Sequence, residues 1–381
     1  MSRNTLKVVA INLLVLLGLV AALEMGLQAI AWLRPSYDVL FLQPDRVLGW
    51  KQVPGLRWRW AGPYWYAAEF DVTVATNRLG FRDLERQQEK PSGVKRIAFL
   101  GDSFIEAVQV PMEQTAVKRT EDLLNSVRSG AGPVWETLNF GISNFGVGQY
   151  LLTWEEYAKS YRPDYVAVFV AGLHMRRAVT KFESGAFPES RFQLWVRPTF
   201  RLEQNRLVLE PARDFQQFVD AQNARIQQDF DGQRMRRRTQ LIVPYYTRQV
   251  SDHALGLLRS VVGARRRVGS DATAAPTDAE AEFAVVGVRV LEELGQRIAR
   301  QGGRMVVVDV TRYFGDDGSL SARLNELCRE NQFGYVPAFE ELLKANAQGI
   351  STHWRHDAHF NRQGNDLLAQ ALVAWLRRQP Q

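Results

Sequence analysis

Residues 96–110 read RIAFLGDSFIEAVQV, an apolar segment that runs directly into a glycine-containing turn. The apolar segment Ile97–Leu100 predicts a short buried strand, and Gly101, Asp102 and Ser103 follow it directly as a tight turn. A serine in such a turn presents its hydroxyl at the carboxyl edge of the sheet, where open α/β sheets bind their ligands. This stretch therefore predicts an α/β fold with Ser103 at a candidate site.

Segments typical of strands and helices alternate downstream of this turn. The predicted strands are 134–139, 165–170, 304–310 and 335–336, and the predicted helices are 115–127, 148–161, 281–301, 320–331 and 363–378. The strand segments are closely apolar, as parallel strands buried on both faces should be. The alternation predicts a three-layer α/β/α sandwich around a mainly parallel five-stranded sheet.

The first 34 residues have the character of a membrane anchor. Arg3 and Lys7 accompany a largely apolar stretch, Leu6–Leu33, and about 20 apolar residues suffice to span a bilayer. Basic residues in front favour a cytoplasmic amino terminus and an extracytoplasmic main domain, in the periplasm or at the outer surface. We therefore expect one transmembrane helix in 1–34. Two other interpretations stay open: a signal peptide cleaved near Ala29-Ile30-Ala31, and an amphipathic helix of a soluble protein.

The rest of the chain divides by composition. Residues 35–95, here called the collar, are rich in Trp, Tyr and Arg, and Asp71–Thr76 alternates like an edge strand. The α/β domain is predicted at 96–378, with an arginine-rich insertion at 176–280. Within the insertion we expect a hairpin at 194–209, a polar helix at 214–238 and a flexible linker at 264–277. The insertion is interpreted either as a lid that selects substrate or as a solvated decoration.

Composition excludes several classes of protein. The 381 residues are 46% hydrophobic, which is enough for a substantial core. The net charge of +7 is spread along the chain, which is typical of a solvated surface, and it favours an anionic membrane or an acidic glycan over a nucleic acid as partner. No nucleic-acid-binding motif accompanies the arginines, so we expect no nucleic-acid partner. Cys328 is the only cysteine, which rules out an intramolecular disulfide and a zinc site built on cysteines.

The segment before the last helix supplies an acid and a base. Residues 352–361 read THWRHDAHFN and include Asp357 and His359. A serine after the first strand and an Asp/His pair after the last form one arrangement of a serine hydrolase triad. Ser103 would attack an ester carbonyl, His359 would take its proton, and Asp357 would orient the imidazole. Asp102, beside the nucleophile, is expected to cap the turn.

These motifs together resemble a known family. The chain resembles the SGNH (GDSL-type) hydrolases, in the branch of bacterial membrane-anchored, extracytoplasmic members. The matching segments are GDSF at 101–104, NFGIS at 139–143, DAHFN at 357–361, TNRLGFRD at 76–83 and LGW at 48–50. The resemblance implies the SGNH/flavodoxin-like sheet and a serine esterase or O-acyltransferase that needs no cofactor. The implied substrate is an ester, such as an O-acyl group of a cell-surface glycan, with a membrane-bound acyl-transfer protein as a further partner.

The resemblance also implies an oxyanion hole with three donors. The first is the backbone N–H of Ser103, and the second is normally the N–H of a glycine in the second block. Here Asn144 stands at that glycine position, and Gly146 is the alternative donor if the register differs. Asparagine tolerates left-handed backbone angles better than most residues, so its N–H can serve.

The third donor is where the chain departs from the family pattern. The family uses an Asn side chain after the third strand, but here Gly172, Leu173 and His174 occupy that segment. Leu173 takes the Asn position in one register and has no side-chain donor, whereas His174 takes it in a register one residue longer. We predict Gly172, Leu173 and His174 as substrate-binding residues. Loss of one oxyanion donor typically lowers turnover by ~10²–10³-fold.

Two alternatives to an active serine esterase stay open. Without its third donor the chain is interpreted as a catalytically impaired hydrolase-fold subunit, serving in glycan binding or assembly. The other alternative is a metal-dependent hydrolase that uses His353, His356, Asp357 and His359, since imidazole and carboxylate suit Zn²⁺. Metal hydrolases usually take ligands from several separated segments, and our primary interpretation includes no metal.

Overall fold

The computed structural model describes residues 3–33, 41–64, 67–126, 132–186, 192–212, 220 and 278–379. The chain divides into two compact units, one comprising 1–38, 189–192 and 224–275, and the other 39–188, 193–223 and 276–381. The principal described element of the first unit is helix α1 (Arg3–Leu33). Its segment Lys7–Leu27, with mean hydropathy 2.4, is the one stretch in the described residues that is long and apolar enough to cross a membrane.

The collar contains two antiparallel hairpins at the start of the second unit. They are β1 (Leu42–Asp45) with β2 (Gly49–Gln52), and β3 (Arg57–Tyr64) with β4 (Ala67–Ala75). The strand expected at Asp71–Thr76 is present as the second half of β4, which ends one residue earlier, at Ala75. Trp50, Trp58 and Phe70 are buried in the same hydrophobic core as helices of the α/β domain. The collar therefore packs against that domain.

The α/β domain follows the predicted alternation. In chain order its elements are β5 (Val94–Leu100), α2 (Ser103–Glu106), α3 (Ala116–Ser126), β6 (Val134–Asn139), α4 (Val147–Glu156), β7 (Tyr165–Val170), α5 (Gly172–Arg176), β8 (Phe182–Ala186), β9 (Phe192–Val196), β10 (Thr199–Glu203), β11 (Arg206–Glu210), α6 (Asp278–Arg300), β12 (Arg304–Asp309), α7 (Ser319–Glu330), β13 (Gly334–Val336), α8 (Phe339–Ala347) and α9 (Arg362–Arg377). The helix predicted at 148–161 is divided into α4 and a 3₁₀ turn at Ala158–Tyr161. Helices α2, α5 and α8 are additional to the prediction.

Five strands form the central sheet in the order β13-β12-β7-β5-β6, and every neighbouring pair is parallel. This is the 2-1-3-4-5 order of flavodoxin-like sheets, and it confirms the predicted fold class. The chain starts at β5, places β6 on one side of it and then places β7, β12 and β13 on the other side. The point between β5 and β7 is therefore the topological switch point, and ligands of such sheets bind in the crevice there, beyond the carboxyl ends of the strands. Ser103 follows β5 and Gly172 follows β7, so both lie at this crevice.

Burial on both faces explains why the strands are so apolar. Along β7, Val166 and Val168 pack in a core with α4 and α6, whereas Ala167 and Phe169 pack in a second core with α3 and α9. Successive side chains of a strand point to opposite faces, so each face needs its own apolar set. The sheet is thus covered by helices on both sides, as the three-layer prediction requires.

The insertion is described only at its ends. The predicted hairpin at 194–209 is present as β10 and β11, with Gln204 and Asn205 in the turn. Both turn residues have positive φ, as a two-residue hairpin turn requires. The helix predicted at 214–238 lies outside the described residues apart from Asp220, and so does the linker predicted at 264–277.

Candidate active site

The turn after β5 places Ser103 at the first position of α2. Asp102 is the residue that caps this helix, and its Oδ1 accepts a hydrogen bond from the backbone N–H of Phe104 at 3.1 Å. The predicted capping role of Asp102 is therefore confirmed. A Cβ at Gly101 would lie 2.2 Å from Cγ1 of Ile105, so the tight turn that exposes Ser103 requires glycine there.

Ser103, His359 and Asp357 form a continuous hydrogen-bonded chain. Nε2 of His359 lies 2.8 Å from Oγ of Ser103, and Nδ1 of His359 lies 2.6 Å from Oδ1 of Asp357. The same carboxylate oxygen accepts the backbone N–H of His359 at 2.8 Å. Because Asp357 accepts from Nδ1, the neutral ring carries its proton there and leaves Nε2 to accept the serine proton. The structure thus brings together the three residues predicted to carry the chemistry.

The charges around these three residues favour His359 as the base that takes the proton of Ser103. Burial would raise the pKa of Asp357, but the hydrogen bond and charge of His359 hold that pKa below its ordinary value. Burial would lower the pKa of His359, but the hydrogen bond to Asp357 and the charges of Asp357, Asp102 and Glu106 raise it above its ordinary value. An imidazole with a raised pKa binds a proton more strongly, which favours its removal from Ser103.

Two predicted oxyanion donors are compatible with their roles. Within the described residues, the backbone N–H groups of Ser103 and Asn144 have no hydrogen-bond partner. Asn144 has φ of 64°, the left-handed conformation that asparagine was expected to tolerate. Two arginines fix this residue: Nη2 of Arg177 donates to its Oδ1 at 3.0 Å, and Nη2 of Arg197 donates to its carbonyl oxygen at 2.9 Å.

Gly146, the alternative donor, has a different role. It caps α4, and its N–H donates to Oε1 of Gln149 at 3.2 Å, so this N–H is already used. A Cβ at this position would lie 2.3 Å from Cβ of Arg177. Glycine is needed here for close packing, and the prediction of Gly146 as an oxyanion donor is not supported by the geometry.

His174, the alternative third donor, is also committed elsewhere. The side chain is fully buried, and its Nδ1 accepts the N–H of Ala171 at 3.0 Å. The ring proton is therefore on Nε2, which donates to Oδ2 of Asp102 at 2.9 Å. Leu173 is exposed at the crevice but offers no donor, and Gly172 is partly exposed. Of the three predicted substrate-binding residues, Gly172 and Leu173 are accessible and His174 is not.

A buried ion pair lies behind the nucleophile. Oδ2 of Asp102 accepts hydrogen bonds from His174 and, at 3.1 Å, from Nη1 of Arg177. Burial would raise the pKa of Asp102, but these contacts with His174 and Arg177 hold it well below its ordinary value. Sequence reasoning missed Arg177, which connects the capping carboxylate of the nucleophile turn with Asn144.

The three clustered histidines have three different sets of partners. His353 lies against Tyr313, His356 binds Glu69, and His359 binds Asp357 and Ser103. Among the residues that the structure describes, no group of three or more His, Cys, Asp or Glu side chains is placed to hold a metal ion. The metal-dependent alternative therefore has no ligand set in this part of the chain.

Glu106 is a second buried acid beside the nucleophile, three residues along α2. Its carboxyl group is fully buried and accepts hydrogen bonds from the Gln52 side chain and the Ser143 hydroxyl. Burial raises its pKa from an ordinary 4.5 to about 7, against the opposing effects of Ser143, Arg82 and His359. An acid with a raised native pKa stabilises the fold below its unfolded pKa, and this contribution is lost as the pH rises through the native pKa.

We therefore expect Glu106→Gln to be more stable than the wild type at pH 8, because the amide stays neutral: its oxygen can accept from Gln52, and its nitrogen can donate to the Ser143 hydroxyl, which accepts as well as donates. The wild type should lose on the order of 3 kcal/mol of this contribution between about pH 4.5 and 7. Thermal unfolding should give the variant a Tm roughly 5–10 °C higher at pH 8 and no such gain at pH 4. Glu113→Gln, at an exposed position, is the control and should follow the wild-type curve. If Tm of Glu106→Gln and of the wild type changed in the same way between pH 4 and pH 8, the raised pKa of Glu106 would be contradicted.

Comparison with known proteins gives similar structures at low sequence identity. No family model matches the chain, and neither does any curated protein. One similar structure is a member of the lipolytic G-D-S-L family from Veillonella parvula (12% identity, TM-score 0.38, covering 75% of this chain and all of that one). Another is TesA (10%, 0.40, 74% and 98%), and a third is the acetylxylan esterase Axe2 from Geobacillus stearothermophilus (13%, 0.37, 75% and 95%).

Proposed function

We propose that this chain is a serine esterase or O-acyltransferase of the SGNH type, acting on ester bonds through Ser103, His359 and Asp357. The observation that carries the proposal is the hydrogen-bonded chain from Ser103 Oγ through His359 to Asp357, with contacts of 2.8 and 2.6 Å. It lies beyond the carboxyl end of β5, at the crevice where sheets of this order bind ligands.

The reaction proceeds in two steps on the same residues. As Ser103 Oγ bonds to the ester carbonyl carbon, its proton moves to Nε2 of His359, and Asp357 stabilises the imidazolium. The N–H groups of Ser103 and Asn144 stabilise the negative carbonyl oxygen. The bond to the leaving alcohol then breaks, and the alcohol takes the proton from His359, leaving an acyl group on Ser103. In the second step water or an acceptor hydroxyl gives its proton to Nε2 of His359 as it bonds to the acyl carbon. The bond from that carbon to Ser103 Oγ then breaks, and His359 returns the proton to Oγ, which restores Ser103.

The proposed setting is the outer face of the cytoplasmic membrane. We propose that α1 anchors the chain as a single-pass helix and that the α/β domain is extracytoplasmic, which the length and apolar character of Lys7–Leu27 support. The proposed substrate is an O-acyl group of a cell-surface glycan, as the sequence resemblance implies. Hydrolysis and transfer use the same three residues, and a membrane-bound acyl-transfer protein is the partner proposed for transfer.

A second candidate is the catalytically impaired subunit that binds or assembles glycan. One observation favours it: Leu173 has no donor, and His174 is buried with both ring nitrogens occupied. An oxyanion hole with two donors in place of three loses ~10²–10³-fold in turnover. Such a loss slows an enzyme and leaves the nucleophile activated.

Labelling with a serine-reactive fluorophosphonate tests the proposed function. We expect the purified chain, in detergent, to be labelled at Ser103, because His359 can remove the serine proton as the reagent is attacked. Ser103→Ala should not be labelled and should keep the wild-type circular dichroism spectrum. Labelling that persists in Ser103→Ala would remove this serine from the mechanism. A folded wild-type chain that is not labelled would favour the impaired subunit.

A further inference from the structure

The loop that carries Asp357 and His359 is held by a carboxylate of the collar. Oε1 of Glu69, on β4, accepts the backbone N–H of Arg355 at 2.9 Å, and its Oε2 accepts the backbone N–H of His356 at 2.8 Å. Oε1 also lies 3.1 Å from Nδ1 of His356. One carboxylate thus takes three contacts from the two residues directly before Asp357. Hydrogen bonds from N–H groups to a carboxylate are stronger than those to a neutral acceptor.

The base of the loop is held by a short ladder within itself and by Tyr313, which contacts Thr352 and His353. His353 and Phe360 form an antiparallel bridge, and the N–H of Trp354 donates to the carbonyl oxygen of His359 at 3.2 Å. Arg355 to Ala358 lie at the tip of this hairpin-like loop, where the ladder gives no support. The tip is where Glu69 binds, and the ring of Phe70 packs next to it against Trp354, with centroids 5.7 Å apart.

Other collar residues contact the segments next to Ser103 and Asn144. Nη1 of Arg82 donates to the carbonyl oxygen of Glu106 at 2.9 Å, at the end of the helix that begins with Ser103. Nε1 of Trp50 donates to the carbonyl oxygen of Ser143 at 3.0 Å, in the residue before Asn144. The collar therefore contacts the nucleophile helix, the segment before the oxyanion residue and the acid–base loop.

We propose that Glu69 is a positioning residue, which fixes the 352–361 loop so that His359 stays within hydrogen-bond reach of Ser103. The inference rests on the proposed function and assigns the collar to the same site. Glu69 acts through the backbone of Arg355 and His356 and touches no reacting atom. A misplacement of about 1 Å at a reacting group can lower the rate by about 10²-fold. Movement of the loop tip, which carries Asp357, would therefore be enough to slow the reaction.

The experiment compares Glu69→Ala with Asp71→Ala, a matched carboxylate two residues along β4. Asp71 pairs with Arg59, and both side chains are half exposed. We expect Glu69→Ala to lower the fluorophosphonate labelling rate and kcat by roughly 10- to 100-fold, and Asp71→Ala to change them by less than about twofold. The acid limb of the kcat/KM profile should move to lower pH in Glu69→Ala, because a loosened Asp357 raises the pKa of His359 less.

Glu69→Gln is a second, milder variant, which tests the proposal if Glu69→Ala fails to fold. Its amide oxygen can still accept one backbone N–H, whereas its nitrogen cannot accept the other, so the labelling rate should fall between the wild type and Glu69→Ala. Equal labelling rates and pH profiles in the Glu69 variants and Asp71→Ala would overturn the positioning role. An unlabelled wild type would instead reject the proposed function, so the two failures are distinguishable.

Discussion

Replacing His359 by alanine should lower kcat for ester cleavage by roughly 10⁴-fold or more while the chain stays folded. The reason is geometric, since Nε2 of His359 is the group 2.8 Å from Ser103 Oγ. Without it no base takes the serine proton, and a serine hydroxyl is a weak nucleophile at neutral pH. Steady-state kinetics with an aryl acetate ester, together with circular dichroism, measure both parts of the expectation.

The matched control is His356→Ala, three residues earlier in the same loop. Its ring is partly exposed and contacts Glu69, but the two backbone N–H groups that Glu69 accepts remain in the variant. We expect a fall in kcat of less than about tenfold, because only one of the three contacts is lost. Equal, large losses in both variants, with activity of the wild type abolished by a chelator and restored by Zn²⁺, would contradict the triad and favour the histidine-cluster alternative.

The fold was predictable because its signals are local. Parallel strands covered on both faces must be apolar at successive positions, and 165–170 reads YVAVFV for this reason. The helices between them have one apolar side, which gives the 3.6-residue period. Short helices such as Ser103–Glu106 and Gly172–Arg176 are too brief to show that period, and they were missed.

The site was predictable where a residue acts within a motif, and unpredictable where it acts across the chain. Ser103, Asp357 and His359 stand in motifs with a recognisable order. Glu69 binds Arg355 from 286 residues away, and no local pattern marks such a pair. Gly146 was the alternative donor for a shifted register, but its N–H is used within the cap of α4.

Arg177 illustrates the same limit, because its partners come from two segments distant from it in the sequence. Its Nη1 donates to Asp102 and to the carbonyl oxygen of Phe145, both at 3.1 Å, and its Nη2 donates to Asn144 at 3.0 Å. One guanidinium thereby holds the capping residue of the nucleophile turn and the second oxyanion residue in one arrangement. The planar fork of arginine suits such a multiple contact, and lysine would not reproduce it.

Arg177→Met should therefore lower both stability and turnover. Breaking a buried ion pair typically costs about 3–5 kcal/mol, because it leaves a buried charge without its partner. If Asn144 loses its position, kcat should fall by a further ~10²–10³-fold. Arg176→Met, at the exposed neighbouring position, is the control; it removes the guanidinium that lies over the Phe283 ring and should change the free energy of unfolding by about 1 kcal/mol or less.

The pH dependence separates the two effects of Arg177→Met. Contacts with His174 and Arg177 hold the pKa of Asp102 well below its ordinary 3.8 in the native state. A lowered acid pKa stabilises the fold above the unfolded pKa, and this contribution is lost as the pH falls through the native pKa. The free energy of unfolding of the variant should therefore fall furthest below that of the wild type at pH 7, and the difference should be smaller at pH 3. Urea unfolding at the two pH values measures this. A variant with the full deficit but wild-type kcat would show that Asn144 keeps its position without Arg177. If the variant and the wild type have the same free energy of unfolding at both pH values, the Asp102–Arg177 ion pair does not stabilise the fold, and this prediction is wrong.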